Sequence, residues 1–223
     1  MASGKEVAKV DERLVNLGDE MKIDPSQLDW KDAHELLVGA ILPRPIAFVS
    51  TVGEDGVNNV APFSFYAPIS VKPAYIGISF SRYRDGRKKD TLVNIEFSKD
   101  FVINVVTEEL AEAMNQASKD YPSYVDEFKE VGLTPVKSDL VKSPMVAESP
   151  VKMECRLVQT LEFGEVPRIT NFVIGEVLRV HIKEDLWLDN TIKAYKLKAI
   201  GRLGEEFYCR ITDLFEMRRS SNL

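Results

Sequence analysis

Two hydroxyls, a pair of carboxamides and a run of cations, each set against apolar sequence, are the residues of this chain best suited to chemistry. Ser50 and Thr51 close the stretch PRPIAFVST (43–51), Asn58 and Asn59 open NNVAPFSF (58–65), and Arg87, Lys88 and Lys89 open RKKDTLVNI (87–95). Ile46, Ala47, Phe48 and Val49 read as a strand buried on both faces, so hydroxyls at its end, before a Gly/Asp-rich turn, can face a ligand. Asn58 and Asn59 are poor strand formers beside Ala61, Pro62 and Ser64, a composition that presents main-chain groups and small side chains where bulk would normally pack. Three cations before a helix start at Asp90 or Thr91 suit a phosphate dianion, because free helix N–H groups add to their charge. Taken alone, Ser50 and Thr51 also fit an ordinary strand end, and the cations a solvated loop.

A polar edge for a ring, an apolar wall for its face and a cationic end for a phosphate together suggest a flavin mononucleotide (FMN) site. Ordered segments along the chain carry a broader likeness: ILPRPIAFVST, DGVNNVAPFSFY, KKDTLVNIE, FVINVVTEELAEAMN, VDEFKEVGLTPV, LVKSPMVAESPVKMEC, VIGEVLRVHI, and GRLGEEFY ahead of RITDLFEM. From about residue 37 to 218 the chain resembles the flavin reductase-like FMN-binding split-barrel family. The likeness is strongest to the branch with the reductase component of nitrilotriacetate monooxygenase and the flavoredoxins. Several ordered segments are far more specific than one short motif.

The resemblance implies a mainly β protein, a split antiparallel β-barrel with a few short helices, that binds FMN and takes a hydride from NADH or NADPH. It also implies a homodimer with the cofactor near the subunit interface, and a monooxygenase as a possible partner. A flavoredoxin-type carrier reduced by another protein and a non-catalytic flavin-binding module are the alternatives. By the same resemblance Ser50 and Thr51 lie at the cofactor, Asn59, Val60, Ala61 and Ser64 supply contacts, and Lys89, Asp90 and Thr91 lie near the phosphate and ribityl chain. Arg44, its backbone fixed between two prolines, can aim at the flavin or a substrate, or form a surface ion pair. In GRLGEEFY, Gly201 and Gly204 permit a sharp turn that brings Arg202 and Tyr208 to the outer flavin face, where a nicotinamide would stack. The family usually has glycine where this chain has Glu205, an acid that can alter the loop or repel a phosphorylated nicotinamide cofactor.

These residues need elements to hold them. The expected order is an N-terminal arm (1–36), either amphipathic helix or mobile, a flavin-binding domain (37–218) and a short tail (219–223). Within the domain, strands are expected at 45–52, 57–61, 74–80, 100–106, 153–163 and 172–182, with a last one around Phe207, Cys209 and Ile211. The Asp55-Gly56 pair makes the first two a hairpin. Helices are expected near 91–97, from Thr107 along Leu110, Met114 and Ala117, and from Ser123 to Gly132. In 153–163 one face (Met153, Cys155, Leu157, Leu161, Phe163) is expected in the core and the other (Glu154, Arg156, Thr160, Glu162) in water. In 172–182 the inward set is Ile174, Leu178, Val180 and Ile182.

Composition narrows the rest. A chain of 223 residues with 44% hydrophobic content is long enough for one sizeable core. A net charge of -6 disfavours nonspecific nucleic-acid binding. No apolar run approaches a membrane span and the first residues lack a signal-peptide core, so a cytoplasmic protein is expected. Cys155 and Cys209 lack CxxC spacing and read as structural thiols, and His34 and His181 lack metal-ligand spacing, so no metal is assigned. No GxGxxG follows a strand and no GxxxxGK[ST] occurs.

Overall fold

The computed structural model describes residues 14–17 and 20–217. Chain contacts divide into two compact units, one running to Leu42 and including Leu203–Phe207, the other formed by Pro43–Arg202 and the segment from Tyr208 onward. The expected tail, 219–223, and residues 1–13 of the arm lie outside the described residues.

In the first unit, β1 (Leu14–Leu17) pairs antiparallel with β2 (Glu20–Ile23), where the sequence offered only a helix or an arm. Strands of four residues are too short to show a period. The helix α1 (Trp30–Ala40) follows, started by Asp29, whose carboxylate accepts a hydrogen bond from the Asp32 N–H at 2.8 Å.

The second unit carries the sheet. Its first strands are β3 (Ala47–Val52), β4 (Asn58–Phe63), β5 (Tyr66–Val71) and β6 (Ala74–Ser81), followed by helix α2 (Asp90–Ser98) and strand β7 (Asp100–Val105). A short excursion holds α3 (Ala111–Gln116), α4 (Glu127–Glu130) and the two-residue pair β8 (Pro135–Val136) and β9 (Met145–Val146). The long strands β10 (Val151–Phe163) and β11 (Thr170–Ile182) come next. The pair β12 (Trp187–Leu188) and β13 (Thr191–Ile192), helix α5 (Ala194–Leu197), and the pair β14 (Ile200–Arg202) and β15 (Tyr208–Arg210) complete it.

Seven strands form one antiparallel sheet in the order β4-β3-β7-β10-β11-β6-β5. It curls: Phe63 of β4 reaches Phe80 of β6, their ring centroids 4.4 Å apart, although the two strands lie far apart in the hydrogen-bonded order. That is the mainly β split barrel the sequence implies. Ala47, Val49, Ile78, Phe80, Phe101, Ile103 and Val173 fill the concave side, which α2 plugs with Leu92 and Ile95. On the convex side Phe48, Val60 and Val106 pack against Leu110, Met114 and Phe128 of the excursion. Close packing sets Gly175, whose Cβ would stand 2.5 Å from the Phe101 ring.

The long strands depart from simple alternation. Glu154, expected in water, is fully buried, and Phe163, expected in the core, is 57% exposed. In β11 the buried positions are Asn171, Val173 and Gly175, while Val180 is exposed. Of two register shifts in the β10–β11 pairing, at Glu154/Cys155 and Leu157/Gln159, the second turns Phe163 off the face that holds Cys155 and Leu157, whereas Glu154 keeps its expected face and is buried because the N–H groups of Asp139, Leu140 and Val141 close over it. Strand β5 had no counterpart in the expected elements.

Candidate active site

Adjacent strand residues point to opposite faces, and in β3 this separates the two hydroxyls. Thr51 pairs in register with Asn59 of β4, and its hydroxyl donates to Asn59 Oδ1 at 3.1 Å. The Thr91 hydroxyl, in the first turn of α2, donates to the same oxygen at 2.8 Å. Asn94, one turn further on, donates from Nδ2 to Thr51 Oγ1 at 3.1 Å. Asn59 in turn donates from Nδ2 to Glu127 Oε2 at 2.8 Å, and the Val60 N–H donates to that oxygen at 2.7 Å. Three expected site side chains and the Val60 main chain therefore share one buried network. Its organising acid, Glu127, was not among the expected site residues, although Val125 and Phe128 beside it mark its helix in the sequence.

Two clefts open beside this network. One, about 440 Å³ including its mouth, is lined by Asn59, Ala61, Phe63, Tyr83, Lys89 and Asp90 among others. The second, about 980 Å³ including the open space at its mouth, is bounded by Gly53, Asp55, Asn94 and Val125. Asn59, Asp90 and Glu127 line both.

The cation run disperses in the fold. Arg82 pairs with Glu162 at 2.6 Å, Arg87 with Asp85 at 2.7 Å and Lys88 with Glu96 at 2.8 Å. Lys89 alone of these lines the cleft, with Nζ 3.7 Å from the Tyr83 ring centroid and 2.6 Å from the exposed Asp120 carboxylate. It also stands at the N-cap of α2, where no side chain caps the first turn. Burial raises the pKa of the Asp90 carboxyl, and burial first, then the acids around it, pushes Tyr83 up to about 12.

A second group gathers the remaining expected residues except Ser50. Arg44 and Arg202 pair through their main chains, each N–H 2.9 Å from the other's carbonyl, and Arg44 Nε donates to Ser64 Oγ at 3.4 Å. The Arg202 guanidinium lies 4.6 Å from the centre of the Tyr208 ring. Gly201 permits this approach, since a Cβ there would stand 2.9 Å from Pro43. Burial, and then the charge of Arg202, lowers the pKa of Arg44. Glu205 takes φ 51°, the left-handed region that glycine favours, so the acid occupies a backbone shape suited to glycine.

Ser50 stands apart, on the convex face. Its hydroxyl donates to the Pro144 carbonyl and accepts from Asn104 Nδ2, while Asn104 Oδ1 accepts from the Val146 N–H at 2.8 Å. Further along this face Asp100 accepts the N–H groups of Lys142 and Ser143, and Glu154 those of Asp139, Leu140 and Val141. His181 meets Glu154 at 2.6 Å and lies 3.9 Å from Asp139, a grouping of metal-ligand types that sequence spacing does not show. Three main-chain donors and the imidazole occupy the Glu154 carboxylate, and Arg179 holds Asp139 at 2.6 Å, so the grouping works as a latch on the 138–146 segment. Burial raises the pKa of the Cys155 thiol, and Cys155 and Cys209 are not joined in a disulfide.

Comparison with known proteins follows the same lines. The family model described as "Flavin reductase like domain" matches residues 38–196. An uncharacterized protein of Halalkalibacterium halodurans is 38% identical over 201 residues, covering 89% of this chain and 96% of its own length. Among solved structures, nitrilotriacetate monooxygenase component B from Bacillus cereus superposes with a TM-score of 0.86 at 32% identity, over 90% of this chain and all of that one. The 2-nitrobenzoate 2-nitroreductase NbaA of Pseudomonas fluorescens gives 0.81 at 29% identity, over 91% and 98%. No helix among the described residues is long and apolar enough to cross a membrane.

Proposed function

From the premise that the chain belongs to the flavin reductase like domain family, we propose that it is an FMN-dependent oxidoreductase reduced by NADH or NADPH. The observation that carries this reading is the cleft beside β4 and α2. Lys89, at the N-cap of a helix with no side-chain cap, the apolar Pro62, Phe63 and Ala117, and Asn59 of the buried network all line it. That donor set fits a phosphorylated flavin.

When bound, FMN would supply the redox chemistry, taking a hydride from the nicotinamide and passing electrons to an acceptor. This chain's residues bind and orient. Lys89 and the first turn of α2 balance the phosphate, and the competing Lys89–Asp120 pair, with Asp120 69% exposed, is a weak rival. Ala61 and Pro62 leave room for a ring close to the main chain. Thr51, Thr91 and Glu127 fix the Asn59 carboxamide, so the strand presenting these groups is held before a ligand arrives. Arg44 and Arg202, two neighbouring cations beside Tyr208 and Ser64, form the group suited to the anionic part of a nicotinamide cofactor. Ser50 serves through its strand; its hydroxyl is spent on the convex side.

The same reading takes residues 37–218 as the flavin-binding domain of a cytoplasmic homodimer. Its acceptor is a partner oxygenase, in line with the Bacillus cereus component B likeness. Anaerobic mixing of the FMN-loaded protein with NADH or NADPH tests it: bleaching of the bound flavin's visible absorbance is expected with at least one of them. Bound flavin that neither reduces would leave the carrier reading in its place, and light scattering at monomer mass would remove the dimer.

A further inference from the structure

Glu127 is the buried acid that neither the sequence motifs nor the proposed mechanism requires as a charge. It is 6% exposed, it forms the wall common to both clefts, and both of its hydrogen bonds, from Asn59 Nδ2 and the Val60 N–H, fall on Oε2. That asymmetry is the pattern of a carboxylic acid, with Oε2 as the carbonyl-like acceptor and Oε1 left to carry a proton. We infer that Glu127 links occupancy of the cleft to proton uptake: the site binds an anionic ligand most tightly when Glu127 is neutral, and an arriving ligand anion draws a proton onto it. The inference rests on the FMN reading of the cleft and adds to it a proton that the binding reaction consumes.

The surroundings of Glu127 favour the neutral form. On its own helix, Asp126 meets Lys129 through Oδ2 at 3.4 Å and leaves Oδ1 buried without a partner, and Glu130 adds a further acid. From α2 come Asp90, which lines both clefts, and Lys89. Asp120 and Lys119 face the smaller cleft from the connecting segment, and the neutral Tyr83 phenol closes it. Glu54 and Asp55 edge the larger one. The charges that act on Glu127 are the acids Asp90 and Asp126, and Lys129 is exposed and held by Asp126. Burial first, opposed by the Val60 N–H and reinforced by Asp90, raises Glu127 to about 7. A bound phosphate dianion adds charge of the same sign and raises it further.

The test is FMN affinity against pH. The second ionisation of a phosphate monoester has its midpoint near pH ~6, so between pH 7 and 8.5 the ligand's charge changes little and the protein's titration dominates. In the wild type, flavin fluorescence quenching is expected to show affinity falling with rising pH, by up to about tenfold per pH unit. Glu127→Gln, which keeps an acceptor for Asn59 and Val60 and cannot ionise, is expected to bind FMN with under about twofold change over the same range, and more tightly than wild type at pH 8.5. Parallel pH profiles for the two proteins would overturn the inference. Calorimetry of the wild type at pH 7.5 in buffers of different ionisation heat gives a readout independent of any variant: net proton uptake on binding supports the linkage, and zero uptake overturns it. A wild type that binds no FMN at any pH would remove the FMN reading itself, whereas binding without proton uptake removes only the role given to Glu127.

Discussion

Strand β3 divides two buried polar networks that differ in what they leave unsatisfied. On its convex side Ser50, Asn104, Asp100 and Glu154 close completely on the 138–146 segment: five main-chain N–H groups enter the two carboxylates, and Asn104 and Ser50 take the Val146 N–H and the Pro144 carbonyl. On the side of α2, Thr51, Asn59, Thr91 and Glu127 bond mostly to one another, and the residues around them open onto two clefts. Buried polar groups that consume each other's capacity hold a loop; groups that line a cavity and keep an oxygen in hand can serve a ligand. Burial alone does not tell the two apart.

The comparison breaks most visibly if the convex network proves dispensable. Glu154→Ala strands three main-chain donors and His181, and a loss of about 3 kcal/mol or more is expected in urea unfolding, with FMN affinity of the folded fraction unchanged. Asn59→Ala comes next, removing the hub of the other network. Here about 1–3 kcal/mol of stability should go together with at least about a tenfold loss in FMN affinity, read by fluorescence titration, so the two variants separate stability from binding.

Acid sharpens the contrast, because the two carboxyls titrate in opposite senses. Burial works against the Glu154 carboxylate, but His181 and the Leu140 and Asp139 N–H groups outweigh it and hold its pKa below the usual range. The stability it contributes is therefore present above the unfolded-state value and lost as pH falls through its lowered folded value. Glu127, raised to about 7, binds a proton in the folded state before the unfolded chain does. Its contribution is gained as pH falls from about 7 toward the ordinary carboxyl value, and lost as pH rises. Urea midpoints between pH 8 and 5.5 should show the wild type gaining about 2 kcal/mol from this group, and Glu127→Gln losing that slope. An unchanged slope would mean that Glu127 does not titrate there. The smallest effect is expected for Ser50→Ala: about 1 kcal/mol of stability with FMN affinity within about twofold, against the larger binding loss at Asn59.

The sequence shows most of the frame and part of the site. Alternation and turn chemistry locate β3, β4, β6, β7, β10 and β11 and the helix α2, because each has a strong apolar period or a Gly/Asp boundary. The phases of β10 and β11 are not legible, since bulges reset them without a local signature, and Glu154 is hidden by the expectation that a strand's charged face is wet. Likewise the proximity of Thr51, Asn59 and Thr91 follows from strand register and the return of α2, while the separation of Ser50 from Thr51 requires knowing what covers each face. Glu127 escaped notice because an acid in the first turn of a four-residue helix ordinarily complements the helix dipole. Only the fold shows it turned inward onto Asn59.

A crystal structure of the protein with FMN would show which of the two networks the flavin meets. The phosphate is expected within about 3 Å of Lys89 Nζ and the first turn of α2, and the ring along Ala61–Phe63 with Asn59 behind it. A flavin seated instead on the convex face beside Ser50 and the 138–146 segment, or anywhere out of contact with β4 and α2, would contradict this placement.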